Sequence, residues 1–158
     1  MMTTEIKPAN IEKFLEMLVD NVARIEMDTA ELDDEQLAQG KDGEWSVTEI
    51  LAHLRACDDV WTMTIQQMLV LDNPELPEIH PREWAKRMCY DQLDFDEMFT
   101  PFQLRRYELF RLLTSLDFED WQRSCVINGR THTVYSQMRR MALHEAKHCD
   151  DIEVLCRK

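Results

Sequence analysis

The sequence predicts an all-α protein that folds as a four-helix bundle. Only three of its 158 residues are glycine and five are proline, which is too little turn chemistry for a many-stranded sheet. Four stretches of about 16 to 25 residues carry apolar side chains three and four positions apart, as amphipathic helices do, and such helices typically pack as a bundle. The length is that of one ordinary domain, so residues 1–158 are expected to form a single domain.

The first helix is expected over roughly residues 8 to 27. Pro8 suits the first turn of a helix. The apolar residues that follow recur at helical spacing, namely Ile11, Phe14, Leu15, Leu18, Val22 and Ile25. Residues 28–45 mix acidic side chains with Gly40 and Gly43, a composition that predicts a connection with room for one helical turn in its middle.

The second helix has the clearest start signal in the chain. Ser46-Val47-Thr48-Glu49 has the form of a capping box, in which the serine hydroxyl accepts from the glutamate amide and the glutamate reaches back to the serine amide. The helix is therefore expected to begin at Ser46, and its apolar spacing continues to about residue 70. On a helical wheel His53 lies at the edge of the buried stripe, so its imidazole is expected to face inward or nearly so.

A connection and a third long helix follow. Residues 71–82 contain three of the five prolines and predict a loop that crosses an end of the molecule, while residues 84–90 are compatible with a short helix. The third long helix is expected to begin at Phe95 or Thr100 and to end at Leu116. Its expected apolar face consists of Phe102, Leu104, Tyr107, Phe110, Leu112 and Leu113.

The last helix carries two histidines four residues apart. Asn128-Gly129 predicts a tight turn between short extended pieces, and Thr133 is a candidate N-cap. The expected buried stripe consists of Val134, Met138, Met141, Ala142, Cys149, Ile152 and Leu155. Next to it, the imidazoles of His144 and His148 point the same way and can bind a first-row metal at about 2.0–2.1 Å. His53 is the candidate third ligand, because side chains from facing helices converge in a bundle.

Composition narrows the classes of partner. The chain has 31 acidic and 18 basic residues, a formal net charge of −13, which argues against binding to nucleic acid or to an anionic membrane. Its five cysteines are odd in number and lack a CxxC spacing, so they form no disulfide framework. No apolar run approaches about 18 residues, and the start, MMTTEIKPAN, has no signal-peptide core. A cytoplasmic protein is expected.

Two blocks of sequence, taken together, resemble a known family. They are Trp45-Ser46-x-x-Glu49-x-x-x-His53-Leu54 and His144-x-x-x-His148, the second preceded by Asn-Gly-Arg-Thr-His-Thr-Val. In order and spacing the chain resembles the DinB/YfiT-like superfamily of metalloenzymes over nearly its whole length. The resemblance implies an antiparallel bundle with a long connection between the second and third helices, and a homodimer. It also implies a divalent metal, nickel or zinc in most cases, bound by His53, His144 and His148.

The chemistry of such a site is that of a catalytic metal. Three histidines with an open coordination position are typical of catalytic centres, and the metal activates a bound water or thiol as a nucleophile. Characterised relatives include thiol-dependent transferases and isomerases that use a low-molecular-weight thiol such as bacillithiol or mycothiol. We therefore expect a thiol-dependent S-transferase or hydrolase that acts on a small-molecule substrate. The alternative is a non-catalytic metal-binding protein or a dimeric interaction protein of the same fold.

Glu145 has two interpretations. The segment from His144 to His148 matches H-E-x-x-H, the zinc-protease pattern in which the glutamate is the general base. Only ten residues follow His148 and none is histidine, so the downstream third ligand of many such proteases is missing. Glu145 remains a catalytic acid–base candidate, beside an interpretation as a salt-bridge partner on the helix.

Other polar residues near the triad receive lesser roles. Glu49 and Asp151 are candidates for hydrogen bonds that orient the ligand imidazoles, Asp151 standing where the resembling family often has glutamine. Cys57, one turn after His53, is expected to behave as a small hydrophobe rather than as a ligand. Trp61 is expected to fill the core. The remaining histidines, His80 and His132, are expected in surface loops.

Overall fold

The computed structural model describes residues 5–157, so residues 1–4 and 158 of the expected domain, including the first residues of the N-terminal segment considered above, lie outside the described residues. In this range the chain forms α1 (Pro8–Thr29), α2 (Asp34–Ala38), α3 (Val47–Val70), α4 (Pro81–Arg87), α5 (Phe95–Thr114) and α6 (Val134–Cys156). Three short strands are β1 (Glu75–Leu76), β2 (Ser124–Ile127) and β3 (Arg130–Thr133), and two 3-10 turns are Tyr90–Gln92 and Asp120–Gln122. Between residues 5 and 157, no helix combines the length and apolar character needed to cross a bilayer.

The long helices α1, α3, α5 and α6 pack as a four-helix bundle, which confirms the predicted fold class. Helices α1 and α6 run in the same direction, because Asn21 bonds to the Ala142 carbonyl and Arg24, further along, bonds to Asp150. Helix α3 runs antiparallel to α6. His53, near the start of α3, lies against His148, and Trp61, about two turns later, lies against His144.

Helix α5 runs parallel to α3, and the two together are antiparallel to α1 and α6. Arg55 of α3 donates to the Glu97 carbonyl near the start of α5, and Asp58 accepts from Arg106 further along both helices. Parallel neighbours require a connection that returns along the bundle, because the end of one helix lies far from the start of the next. This is the physical reason for the long connection of residues 71–94, which contains β1 and α4.

Capping boxes set the start of both helices that carry the triad. The Glu49 amide donates to Ser46 Oγ at 3.1 Å, and the Ser46 amide donates to Glu49 Oε2 at 2.7 Å, which confirms the predicted start of α3. Thr133 caps α6 as predicted, accepting from the Ser136 amide at 3.0 Å. A fixed first turn sets the direction of every later side chain, so these caps orient the histidines.

The Asn128-Gly129 turn is confirmed as the tip of a hairpin. Both residues have positive φ, 50° and 70°, as a two-residue turn with the twist of antiparallel strands requires. Strands β2 and β3 flank it in antiparallel register. Strand β1 pairs with β2 in parallel. The sequence did not predict this contact, because a strand of two residues is too short to show an alternating apolar pattern. The sheet joins the long connection to the segment that leads into α6.

The predicted apolar face of α5 was wrong, because the buried face is rotated about the helix axis relative to the predicted one. Leu104 and Tyr107 are 64% and 71% exposed, whereas Arg106 is 3% exposed. The buried stripe of α5 consists of Phe95, Met98, Phe99, Phe102, Arg106, Leu109 and Leu113. A hydropathy pattern assigns an arginine to the surface, so the centre of the true stripe was overlooked.

The start of α5 is Phe95 rather than Thr100. Asp94 and Glu97 form a capping box there, and the helix continues through Pro101. Proline has no amide hydrogen, so the carbonyl of Glu97, four residues earlier, loses its helical partner. Arg55 Nη1 donates to that carbonyl at 3.4 Å. The neighbouring helix therefore supplies the hydrogen bond that Pro101 removes.

The core is divided by a layer of buried polar side chains. One hydrophobic cluster contains Leu18, Ile65, Leu113 and Met138 among others, and a second contains Ile25, Leu51, Phe102 and Ile152. Between them lie buried polar residues from all four long helices, among them Asn21, Asp58, Arg106 and Glu145. The triad histidines of α3 and α6 lie within a few residues of this layer along their helices.

Candidate metal centre

The structure brings His53, His144 and His148 together. One ring nitrogen of each lies within 4.8 Å of the others. Within residues 5–157, these three side chains form the cluster that could bind a metal ion. The ring centroids are 5.1 Å apart for His53 with either partner and 4.6 Å apart for His144 with His148. Each ring is half-buried. His144 and His148, which were predicted to share one face of α6, thus lie beside His53, which was predicted at the inward edge of α3.

The donor geometry fits a divalent metal ion. The Nε2 atoms of His53 and His144 face each other at 3.2 Å. If both bound one ion at about 2.0–2.1 Å, this separation would correspond to an N–metal–N angle of about 100°, close to tetrahedral. Three imidazoles suit zinc, nickel, copper and iron. The arrangement can therefore hold a divalent metal, and the donor set does not select one.

Asp151 fixes the orientation of the third imidazole. His148 Nδ1 lies 3.1 Å from Asp151 Oδ2. A carboxylate accepts, so Nδ1 carries the proton and the lone pair of Nε2 is free for a metal. The neighbouring Asp150 instead accepts from Arg24 at 2.7 Å, on the α1 side of the helix. Of the two adjacent aspartates, only Asp151 therefore contacts the triad.

Two tryptophans pack against the histidine rings. Trp45 is stacked on His148, with ring centroids 6.4 Å apart and planes at 25°, and its ring also lies 5.2 Å from that of His53. Trp61 meets His144 edge-on at 5.1 Å. His144 Nδ1 is buried without a hydrogen-bond partner within residues 5–157, so this side of the ring is held by packing, while its Nε2 faces His53. Trp61 is buried, as predicted, but it also forms a wall of the site.

The environment keeps the imidazoles neutral. Burial, followed by the charge of His148, lowers the pKa of both His53 and His144 to about 4. Burial also lowers the pKa of His148, although Asp151 opposes this effect. Neutral imidazole is the form that binds a metal ion, so the apoprotein presents its three nitrogens in the competent protonation state at neutral pH.

Cys57 lies close to the triad as a protonated thiol. Its Sγ is 3.6 Å from His53 Nε2, and the residue is 2% exposed. Burial raises the pKa of this thiol to about 12. Because the thiolate rather than the thiol is the metal ligand, the geometry favours the predicted role of a small buried hydrophobe.

Glu145 lies in the buried polar layer behind the triad. It is 2% exposed, and both of its carboxylate oxygens accept from Arg106, one of them at 2.8 Å. Asn21 donates to the same carboxylate at 3.4 Å. Arg106 also donates to the Leu18 carbonyl at 2.9 Å and to Asp58 Oδ1 at 3.0 Å. The salt bridge of Glu145 therefore joins α6 to α5 rather than two turns of one helix.

Glu49 reaches the site region without bonding to a ligand ring in the described part of the chain. Its Oε2 accepts from the Ser46 amide at 2.7 Å, which makes it part of the helix cap. It also lines a cavity of about 710 Å³ together with His53 and Trp45. Glu49 therefore fixes the start of the helix that carries His53, and its predicted hydrogen bond to an imidazole remains a prediction.

The triad opens into a second cavity of about 630 Å³. Its walls include His53, His144, Trp61, Arg82 and Arg140, and its volume lies within the usual range for small-molecule sites, about 300–1,000 Å³. The guanidinium of Arg82 lies over Trp45, 5.4 Å from the ring centroid. That of Arg140 lies over Trp61 at 4.5 Å. The site is therefore open on one side and bordered by positive charge.

The two remaining histidines lie at the edge of this region. His80 caps α4 with a side chain 72% exposed, and it lines the same cavity as His144. His132 is half-buried on β3, not in a loop as predicted, and lines an adjoining cavity. Its position on a strand follows from the hairpin register, in which it pairs with Cys125.

Sequence reasoning missed the arginines and the tryptophan contacts of the site. Arg140 precedes His144 by four residues and Trp61 follows His53 by eight, so helical spacing alone would have placed both on the histidine face. Arg82 has no such signal. It reaches the site because α4 packs against α3, and the spacing of residues within either helix does not predict a contact between the two.

Comparison with known proteins agrees with this architecture. The family model of the DinB superfamily matches residues 17–152. The solved structure of YfiT from Bacillus subtilis, described as "a probable metal-dependent hydrolase with an unusual four-helix bundle topology", superposes with a TM-score of 0.86 at 18% identity, covering 99% of this chain and 91% of that one. No curated protein matches in sequence. The resemblance seen in the two histidine blocks is confirmed, and the chain belongs to the DinB superfamily.

Proposed function

We propose that this protein is a metal-dependent enzyme, a thiol-dependent S-transferase or a hydrolase, that acts on a small-molecule substrate. The observation that carries this proposal is the pair of Nε2 atoms 3.2 Å apart on the wall of an open cavity. A divalent ion, nickel or zinc by the resemblance, would bind to His53, His144 and His148. When bound, it supplies a Lewis acid that activates a thiol or a water molecule.

The residues around the triad serve to orient and protect it. Asp151 holds the proton on His148 Nδ1 and so directs Nε2 into the site. Trp45 and Trp61 cover the outer faces of the imidazoles and exclude water from one side. The cavity leaves the other side accessible to a substrate. An open position of this kind is what distinguishes catalytic from structural metal centres.

We propose that Glu145 acts through Arg106 as a positioning residue, although its acid–base role remains a prediction. Both carboxylate oxygens are engaged by the Arg106 guanidinium, and the ion pair fixes α6 next to His144. The two roles differ in the expected effect of Glu145→Gln. Loss of an acid–base group alters the pH profile of activity and spares metal affinity, whereas loss of a positioning group lowers metal affinity and stability together.

The decisive experiment combines metal analysis with an activity screen. Protein purified without chelators is expected to contain close to one equivalent of a divalent metal, and His53→Ala and His148→Ala are expected to lose it. His80→Ala is the matched control, because His80 lines the cavity but lies outside the triad. Metal-loaded protein is then screened for thiol transfer with several low-molecular-weight thiols and for hydrolysis of small esters and amides.

Three outcomes separate the possibilities. Activity that requires the metal and disappears in both triad variants supports the enzyme. Retention of metal by His53→Ala and His148→Ala contradicts the assignment of the ligands. Metal binding by the wild type without activity toward any substrate in the screen favours the non-catalytic alternative.

One observation favours an interaction role beside catalysis. The outer face of α5 exposes Leu104 and Tyr107 by 64% and 71%, and exposed apolar side chains of this size commonly mark contact surfaces. The homodimer implied by the resemblance would cover such a face. Light scattering of the wild type and of Leu104→Glu tests this, since only a dimer that uses α5 would dissociate.

We also propose a cytoplasmic location. The five cysteines are all unpaired thiols in the structure, which is the usual state in a reducing compartment. Such a compartment also contains the low-molecular-weight thiols that the transferase reaction requires. Fractionation of cells that produce the tagged protein checks this location.

A further inference from the structure

Two arginines border the cavity in front of the triad, although the chain as a whole is strongly acidic. The protein carries a formal net charge of −13, yet Arg82 and Arg140 both line the cavity that contains His53 and His144. Within residues 5–157, neither guanidinium forms an ion pair or a hydrogen bond with a carboxylate. Both arginines are exposed, and in a chain with 31 acidic residues two such arginines on one cavity wall offer an anionic ligand free donors and a favourable charge.

Both guanidiniums are held in place by the aromatic walls of the site. Arg82 lies over Trp45 at 5.4 Å and Arg140 over Trp61 at 4.5 Å from the ring centroids, distances at which cation–π attraction operates. The same indoles pack against His148 and His144. Stacking occupies the flat face of a guanidinium and leaves the N–H groups at its edge available. Each arginine is therefore fixed beside a ligand histidine with donors to spare.

Among the described residues that line this cavity, the one acidic side chain already has a partner. Glu83 lines the cavity, and its Oε1 lies 3.5 Å from Arg87 Nε, one turn further along α4. Its negative charge is thus compensated on the outer side of the helix. The cavity volume of about 630 Å³ suits a metabolite-sized ligand, which can reach the triad and an arginine at the same time.

We propose that the substrate carries an anionic group, a carboxylate or a phosphate, that Arg140 and Arg82 bind at the cavity mouth while its reactive part lies against the triad. This inference rests on the proposed function, because it names the substrate class of that site. A guanidinium binds carboxylate and phosphate alike through two parallel N–H bonds. Such binding anchors the end of the substrate that does not react, so it sets orientation and specificity.

The test measures binding to metal-free protein, so that coordination of the probe to a metal makes no contribution. Full-length protein is treated with chelator, dialysed and titrated calorimetrically with benzoate, phenyl phosphate and benzamide. Benzamide has the shape of benzoate without its charge, and comparison of the two anions distinguishes carboxylate from phosphate as the preferred group. The variants are Arg82→Gln and Arg140→Gln. The matched control is Arg139→Gln, since Arg139 is adjacent, exposed and also lies over an aromatic ring, that of Phe14.

We expect at least one anion to bind about tenfold more tightly than benzamide. Arg82→Gln and Arg140→Gln should each remove most of this preference and leave benzamide binding unchanged, whereas Arg139→Gln should behave as the wild type. Arg140→Lys, which keeps the charge but not the paired N–H donors, should be intermediate. Thermal unfolding of each variant shows that the fold is retained.

Three results would overturn the inference. These are an affinity for benzoate and for phenyl phosphate that in neither case exceeds the affinity for benzamide, no detectable binding of either anion at millimolar concentration, and an equal loss in Arg139→Gln, which would indicate only the general effect of net charge. Failure here is distinct from failure of the proposed function. Metal content and metal-dependent activity of the wild type are measured separately, and a neutral substrate with full activity would refute the anion site alone.

Discussion

Asp151 offers the sharpest test of the metal centre, because its neighbour provides a control of the same chemistry. Asp151 accepts from His148 Nδ1 at 3.1 Å, whereas Asp150 accepts from Arg24 at 2.7 Å on the other side of α6. Replacing either aspartate with alanine removes one negative charge from the same turn of the helix. Only Asp151→Ala removes the group that orients a ligand imidazole.

The expected effect follows from the exposure of the carboxylate. Loss of such a partner typically weakens metal binding by about 10- to 100-fold. The Asp151 side chain is 50% exposed, so solvent screens its interaction and the lower end of this range applies. We expect Asp151→Ala to weaken metal binding about tenfold, or roughly 1.4 kcal/mol, and Asp150→Ala to change it less than twofold.

The assay is competition with a chromophoric chelator at fixed pH and ionic strength. A third variant, Asp151→Gln, introduces the residue that the resembling family often carries, and its amide oxygen can accept from Nδ1. It should recover most of the lost affinity. Equal affinities for Asp151→Ala and Asp150→Ala would refute the reasoning, because the hydrogen bond to His148 would then contribute nothing to metal binding.

Three further predictions concern stability and the surroundings of the triad. Arg106→Met removes a buried arginine that pairs with two buried carboxylates, Asp58 and Glu145. It should destabilise the fold by about 3–5 kcal/mol, measured by denaturant unfolding. Arg87→Met removes an ion pair whose two side chains are 79% and 61% exposed and should cost about 1 kcal/mol or less; similar losses would contradict a role of the buried layer. Cys57→Ala should change metal affinity less than about threefold, since the neutral thiol is a poor ligand, and a large loss in the chelator assay would identify a fourth ligand. Burial lowers the pKa of His53 and His144 from 6.5 to about 4. Between these two pH values the histidines are protonated in the unfolded chain but neutral in the folded one, so the apoprotein should lose stability as pH falls from about 6.5 towards 4. Urea unfolding at pH 7 and pH 5 checks this, and equal stability at the two values would contradict it.

Local signals in the sequence were sufficient to predict the long helices and to pair two candidate ligands on one of them. The Ser46 capping box and the Thr133 cap predicted the starts of α3 and α6, because a cap involves residues only three positions apart. His144 and His148 could be paired for the same reason, since helical geometry alone places residues four apart side by side. The hairpin turn at Asn128-Gly129 belongs to this class too, because two adjacent residues with positive φ determine it.

Contacts between distant segments were decided only by the tertiary structure. Arg106 looks like a surface residue in a hydropathy pattern, yet it is buried, because carboxylates from α3 and α6 reach it across the bundle. This arginine shifted the true face of α5 away from Leu104 and Tyr107. A pattern within one helix cannot contain a charge partner that another helix supplies.

The candidate metal centre likewise depends partly on local signals and partly on tertiary packing. The sequence by itself determined which side chains have metal-binding chemistry and that two of them share one helix face. The packing of α3 against α6 decided the 3.2 Å separation of His53 and His144, and the packing of α4 against α3 brought Arg82 to the cavity. The reason is physical, since helical periodicity fixes directions around one axis, whereas distances between axes depend on how all the side chains between them fill space.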